Sequence, residues 1–191
     1  IDRTDFWLIM GANPIASNGS IMTAPDVANR LKAVKKRGGK VVVIDPRFTE
    51  TAAKADQHIF IRPATDVWLL LGMIRYVLVR DLMDLKHLEA HIEAAEIEEL
   101  KRLVSPFHVA LIAEKTGVEE TTIRQLIEEF TAAKSAVCYG RMGLSTVEFG
   151  GLSQWLINIL NILTGNFDNP GGAMFTSPAF GYMLEKDCLK L

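Results

Sequence analysis

The chain alternates between short runs in which every residue is apolar and longer stretches with helical spacing. Phe6–Met10 is such a run and ends at Gly11-Ala12-Asn13-Pro14, as a buried strand does where it enters a loop. The loop continues through Ser17, Asn18, Gly19 and Ser20. Val27, Leu31 and Val34 then recur at i, i+4 and i+7, predicting a helix with a basic end at Lys35–Arg37, stopped by Gly38-Gly39. Val41–Ile44 is a second apolar strand, ended by Asp45-Pro46, and His58–Ile61 a third, ended by Arg62-Pro63. Thr65 is read as the cap of a helix carrying Val67, Leu70, Leu71, Ile74, Val77 and Leu78 at the 3.6 period. Strands apolar at every position are covered on both faces. The order therefore predicts an α/β fold, a doubly wound parallel sheet with helices on both faces.

Only helices are expected from Asp84 to about Lys134, a helical insertion within the region. Ser135–Tyr139 returns to a strand ended by Gly140, and Gly143, Gly150 and Gly151 mark the loop after it. Leu152–Leu163 is apolar nearly all round, with Gln154, Asn158 and Asn161 as one polar stripe, which predicts a buried helix. A dense turn segment runs from Gly165 to Gly172. The region 1–183 is read as one unit, and 184–191 as an unassigned tail.

Composition narrows the function by exclusion. The chain has 191 residues, 49% of them apolar and 23% charged, so it folds as a globular protein with a sizeable core. The 21 Lys and Arg against 23 Asp and Glu give a net charge of −2, with no basic excess to grip a nucleic acid. Its two cysteines, Cys138 and Cys188, are too few for an iron–sulfur cluster and lean toward a reducing, cytoplasmic compartment. The longest apolar run, Val67–Ile74, is too short to span a bilayer. The start, IDRTDFWLIM, has no basic segment before its apolar run and is no signal peptide.

Three loops fall at the carboxyl ends of three expected parallel strands, the edge where open α/β sheets bind ligands: GANPIASN, IDPRFTET and RPATD. Gly11 permits close backbone approach, and Asn13 and Asn18 offer donors and acceptors. Asp45 is placed like the acid that bonds a ribose, and Asp66 can accept two N–H groups from a base such as guanine. The same residue types also serve simply as turn and cap residues. Neither GxGxxG nor a Walker motif is present, which argues against an ordinary nicotinamide or ATP site. His87 and His91, spaced i, i+4, lack the His-Glu-x-x-His order of a zinc protease and read as part of a solvated acidic face. Residues 107–133 look like a helix-turn-helix, but Glu119, Glu120, Glu128 and Glu129 make the second helix too acidic to face phosphates.

Taken together, the Gly-x-Asn-Pro strand end, VVVIDPRFTETAAKADQHIFIRPATD and GRMGLSTVEFGG…LNILTGNFDNPGGAMF resemble the molybdopterin oxidoreductases of the dimethyl sulfoxide reductase superfamily. This group includes formate dehydrogenases and related nitrate reductases. The resemblance covers roughly Phe6 to Phe180. It implies binding of a bis-molybdopterin guanine dinucleotide cofactor of molybdenum or tungsten. It places Gly11, Ala12, Asn13, Pro14 and Asn18 on the first dinucleotide loop, and Asp45, Pro46, Arg47 and Thr49 on the ribose side. Thr65 and Asp66 fall at the guanine base, and Met142 and Gly143 near the pterin. Thr146 stands where relatives often carry Gln, and Gly165-Asn166 matches a Gly-Asn turn.

In this family the cluster cysteines and the metal ligand lie upstream of the first motif, and a further domain follows the last. The resemblance thus implies the central piece of a larger oxidoreductase, without catalytic or metal-ligating residues of its own and inactive alone. An iron–sulfur cluster would lie only in the missing amino-terminal part. The expected partners are the remaining domains of the same enzyme and electron-transfer subunits, with no nucleic acid and no membrane insertion; export of the full enzyme to the periplasm stays open. The alternatives are a generic nucleotide-dependent α/β enzyme domain and a DNA-binding module at 107–133.

Overall fold

A computed structural model describes residues 1–174; the stretch 175–191, including Cys188 and the tail 184–191, lies outside the described residues. Four strands, β1 Phe6–Met10, β2 Lys40–Ile44, β3 Gln57–Ile59 and β4 Ala136–Gly140, form one parallel sheet in the order β3-β2-β1-β4. Successive side chains of a strand point to opposite faces. Phe6, Leu8 and Met10 of β1 therefore join Val42, Ile44 and Cys138 in the larger core, while Trp7 and Ile9 join Val41 and Val43 in the smaller one. Both faces are covered, which is why β1 and the Val41–Ile44 part of β2 read as unbroken apolar runs.

Helix α1, Val27–Lys36, closes the smaller core with Val27, Leu31 and Val34, all fully buried. The larger core is closed by α2, Asp66–Val79, and by three helices of the segment 84–134: α3 Ala94–Val104, α4 Val109–Thr116 and α5 Glu120–Ala132. Ile97, Ile112, Ile123, Ile127 and Phe130 carry these helices into the same core as the sheet. The helix-turn-helix pattern thus spends its apolar side on packing. In α5, Glu128 is exposed and accepts the Tyr76 hydroxyl at 2.6 Å, and Arg124 is paired with Glu120 at 3.1 Å.

Several expectations need correction. The third strand stops at Ile59, where its pairing with β2 ends at Ile44 and the Asp45 N–H donates to the Ile59 carbonyl at 3.3 Å. His87 and His91 lie in a 3-10 turn, Lys86–His91, whose three residues per turn put them on different faces. A short helix, α6 Met142–Ser145, follows β4, and Gly150 and Gly151 begin the long helix α7, Gly150–Leu163, rather than a loop. Nor is α7 buried all round, since Leu152 and Trp155 are 41% and 51% exposed.

The expected polar stripe of α7 also splits. Asn158 is exposed, Gln154 donates to Ser145 Oγ at 2.7 Å, and only Asn161 turns fully inward. There it completes the free edge of β4. Its Oδ1 accepts from the Cys138 N–H and its Nδ2 donates to the Cys138 carbonyl, both at 2.9 Å. The amide thus does what a further strand would do at this buried edge. No helix among the described residues is long and apolar enough to cross a membrane.

Candidate functional site

From β1 the chain moves outward to β2 and β3, then returns to place β4 on the other side of β1. The loops leaving β1 and β4 therefore diverge, and in such sheets the crevice between diverging loops is where ligands bind. Here it is a cleft of about 470 Å³. Its floor is backbone against backbone: Gly143 N–H donates to the Gly11 carbonyl at 2.9 Å, and Arg141 N–H to the Met10 carbonyl at 3.3 Å. Gly11 has φ +53°, and a Cβ there would lie 2.6 Å from the Leu144 nitrogen. Only glycine combines that conformation with that approach.

Two guanidinium groups, of Arg47 and Arg141, line the cleft together with the Asp45 carboxylate. Asp45 Oδ1 accepts the Arg47 backbone N–H at 2.9 Å, fixing the turn after β2; its other oxygen makes no hydrogen bond among the described residues. Arg141 spends one N–H on the Ile21 carbonyl at 3.2 Å. Two cations beside one free carboxylate oxygen suit a pyrophosphate next to a ribose diol.

Of the residues singled out from the sequence, the cleft brings together Gly11, Ala12, Asn13, Pro14, Asp45, Arg47, Thr49, Met142 and Gly143. Thr49 is buried and its hydroxyl accepts from the Ala52 N–H at 3.0 Å. Asn18, Pro46 and Thr146 are exposed beside the cleft without lining it, and the Thr146 hydroxyl turns back to the Met142 carbonyl at 2.7 Å. Thr65 does not cap α2 through its side chain, because its hydroxyl donates to the Arg62 carbonyl at 2.6 Å.

Gly165 and Asn166 sit at the opposite end of the sheet. Asn166 is buried; its Oδ1 accepts from Ala136 N–H at 3.0 Å and its Nδ2 donates to Thr164 Oγ at 2.9 Å. Ala136 is the first residue of β4, so this turn belongs to the amino edge and is a structural brace. Ile21, Met22, Tyr139 and Arg141 line the cleft and were not foreseen. For Tyr139 and Arg141 a signal existed, since they flank the glycine that ends β4.

Asp66 opens α2 outside the cleft proper and is only 5% exposed. Burial, reinforced by the nearby Asp45 charge and opposed by its own backbone N–H, pushes its carboxyl up to about 6. Holding a carboxylate here is unfavourable unless donors arrive from outside. Among the described residues no group of three or more His, Cys, Asp or Glu is arranged to hold a metal ion.

Comparison with known proteins decides the lineage. Residues 1–181 match the family model described as molybdopterin oxidoreductase. The chain belongs to that family. It is 32% identical over 170 residues to formate dehydrogenase H of Escherichia coli (strain K12), covering 89% of this chain and 23% of that protein. Acetylene hydratase from Pelobacter acetylenicus shares its fold with a TM-score of 0.72 and 28% identity, over 85% of this chain and 22% of that one. The chain thus spans less than a quarter of the length of these relatives. A molybdopterin oxidoreductase needs a molybdenum–pterin cofactor, and the cationic, glycine-floored cleft suits the anionic end of such a group.

Proposed function

We propose that this chain holds a guanine dinucleotide end of a bis-molybdopterin guanine dinucleotide cofactor, within an oxidoreductase of the formate dehydrogenase type. The observation that carries this reading is the cleft at the β1–β4 switch in strand order, with Arg47, Arg141 and Asp45 around a floor that only Gly11 permits. Arg47 and Arg141 bind the pyrophosphate, Asp45 the ribose, and Asp66 the base. When bound, the cofactor supplies the two-electron chemistry; this chain orients it and balances its charge. Asp66 suits guanine because guanine presents N1–H and N2–H₂ side by side, a donor pair that a carboxylate accepts with two oxygens. Adenine has no such pair on that edge. The remaining domains of the longer enzyme and its electron-transfer subunits are the expected partners.

The test is calorimetric titration of the chain with GDP and with ADP, on wild type and Asp66→Asn. Charge-assisted bonds are worth roughly 1.5–3 kcal/mol each, so the variant should lose on the order of tenfold or more in GDP affinity and its preference over ADP. A wild type that binds GDP no better than ADP overturns the reading, and so does a GDP preference unchanged in the variant.

A further inference from the structure

Two of the loops that line the cleft, those after β1 and β2, are joined by one buried hydroxyl. Thr51 is fully buried. Its Oγ donates to Asn13 Oδ1 at 2.7 Å and accepts from the Ile15 N–H at 3.1 Å, while its backbone N–H donates to the same Asn13 oxygen at 3.3 Å. Asn13 in turn donates from Nδ2 to Glu50 Oε2 at 2.6 Å. These bonds link residues 36 to 38 positions apart in the chain, one partner always on the loop after β1 and the other on the loop after β2.

The donor inventory shows what Asn13 has left to offer. Its carbonyl oxygen already takes two hydrogen bonds and one of its two amide hydrogens goes to Glu50, so a single N–H remains. That is poor equipment for a principal ligand contact and good equipment for a brace. The residue that uses it, Thr51, sits under the cleft rather than in it. Glu50 shows the same wiring from its other end, since the Asn13 bond holds its carboxyl below the usual range, and it lies 3.8 Å from Arg47.

We propose that Thr51 is a positioning residue, whose hydroxyl clamps Asn13 and Ile15 and thereby sets the spacing between the two lining loops Gly11–Ser17 and Asp45–Arg47. The proposal rests on the reading of the cleft as a nucleotide site. Its chemistry is pre-organisation: the two loops carry groups that must meet one rigid ligand, and an error of 1 Å in such a site costs on the order of a hundredfold.

Thr51→Val keeps the shape and removes the hydroxyl, and Thr51→Ser keeps the hydroxyl. Three measurements are made on each: GDP affinity by calorimetry, amide hydrogen exchange of residues 12–18, and urea stability. Thr51→Val should lose about tenfold in GDP affinity and exchange faster at 12–18 than its change in global stability accounts for. Thr51→Ser should stay within about twofold of wild type in both, the rescue that a shape-filling role would not give. A Thr51→Val protein with wild-type loop exchange overturns the clamp, as does a Thr51→Ser protein as impaired as the valine variant. Asn13→Ala, at a half-buried position, should loosen the same loop and replaces Thr51→Val if that variant does not fold. If wild type shows no GDP binding, the nucleotide reading fails while the exchange measurement still decides the clamp.

Discussion

Replacing Asp66 by Asn should stabilise the protein at neutral pH and do almost nothing at pH 4. The carboxyl ionises near 3.8 when unfolded and near 6 when folded, chiefly because burial disfavours the charged form. Between those values the folded state holds the proton more firmly, so it binds more protons than the unfolded chain. Stability then falls as pH rises through this window, and the penalty is fully developed above pH 6. The gap of about two pH units, at about 1.4 kcal/mol each, sets an upper limit of roughly 3 kcal/mol. For a chain of this length that corresponds to a rise in Tm of about 6–12 °C in Asp66→Asn at pH 7. Asparagine is neutral throughout and fills nearly the same volume, so packing changes little.

The assay is urea unfolding followed by circular dichroism at pH 4, 5, 6 and 7, on wild type and variant, with the slope m checked for constancy. The difference between the two proteins should grow steadily from pH 4 to pH 6 and level off above it. A difference that is the same at pH 4 and pH 7 would refute the reasoning, because a lost helix-start contact or a packing change has no such pH dependence. The physical point is a trade between stability and binding. In the function proposed above, the carboxylate that costs the folded chain free energy at neutral pH is the group that accepts the base's donors.

Three further outcomes follow from the structure. Gly11→Ala should destabilise the protein by at least 1–3 kcal/mol, the rough cost of a positive φ at a residue with a Cβ, with the added clash against Leu144, measured by urea unfolding. Asn161→Leu leaves the Cys138 N–H and carbonyl without their side-chain partner, and should cost roughly 2–4 kcal/mol in the same assay. In a Cys188→Ser background, Cys138 should resist a thiol reagent until denaturant is added. It is 2% exposed, burial drives its thiol far above the ordinary range, and its Sγ lies against Met10 Sδ at 3.8 Å. Stoichiometric labelling of the folded protein within minutes would contradict that.

The parts of the fold that were legible in the sequence are those decided locally. Phe6–Met10 and Val41–Ile44 announce themselves because each residue faces one of two helix layers, and α1 because Val27, Leu31 and Val34 fall on one line. The loops at the carboxyl ends of β1 and β2 were legible for the same reason, since Gly, Asn, Asp and Pro follow directly on an apolar run. Phe60 and Ile61 misled because apolar residues next to a strand read as strand, although the pairing with β2 ends at Ile59. The partner of Asn161 could not be read, because its bonds reach 23 residues back to an edge whose existence depends on the whole sheet order. The clamp at Thr51 stayed hidden too: a threonine in a loop gives no sign that it joins two loops 36 residues apart.

Gly165-Asn166, which the sequence left open between a ligand contact and a structural turn, differs in kind, because topology alone bears on the choice. Turns that bind ligands and turns that brace a sheet draw on the same residues, Gly, Asn, Asp and Pro, so composition cannot separate them. Direction can. A parallel strand delivers the chain to the carboxyl edge, and the helix that follows carries it back to the amino edge. Glycines between β4 and α7 therefore stand where a ligand can be met, as Gly143 does, packed on Gly11. Glycines after α7 arrive at the other end, where Asn166 bonds the first residue of β4 and Gly171 and Gly172 lie with Ile1, Asp2 and Arg3. In a sheet of this kind, a glycine-rich turn that precedes a helix is a candidate site, and one that follows a helix is a joint.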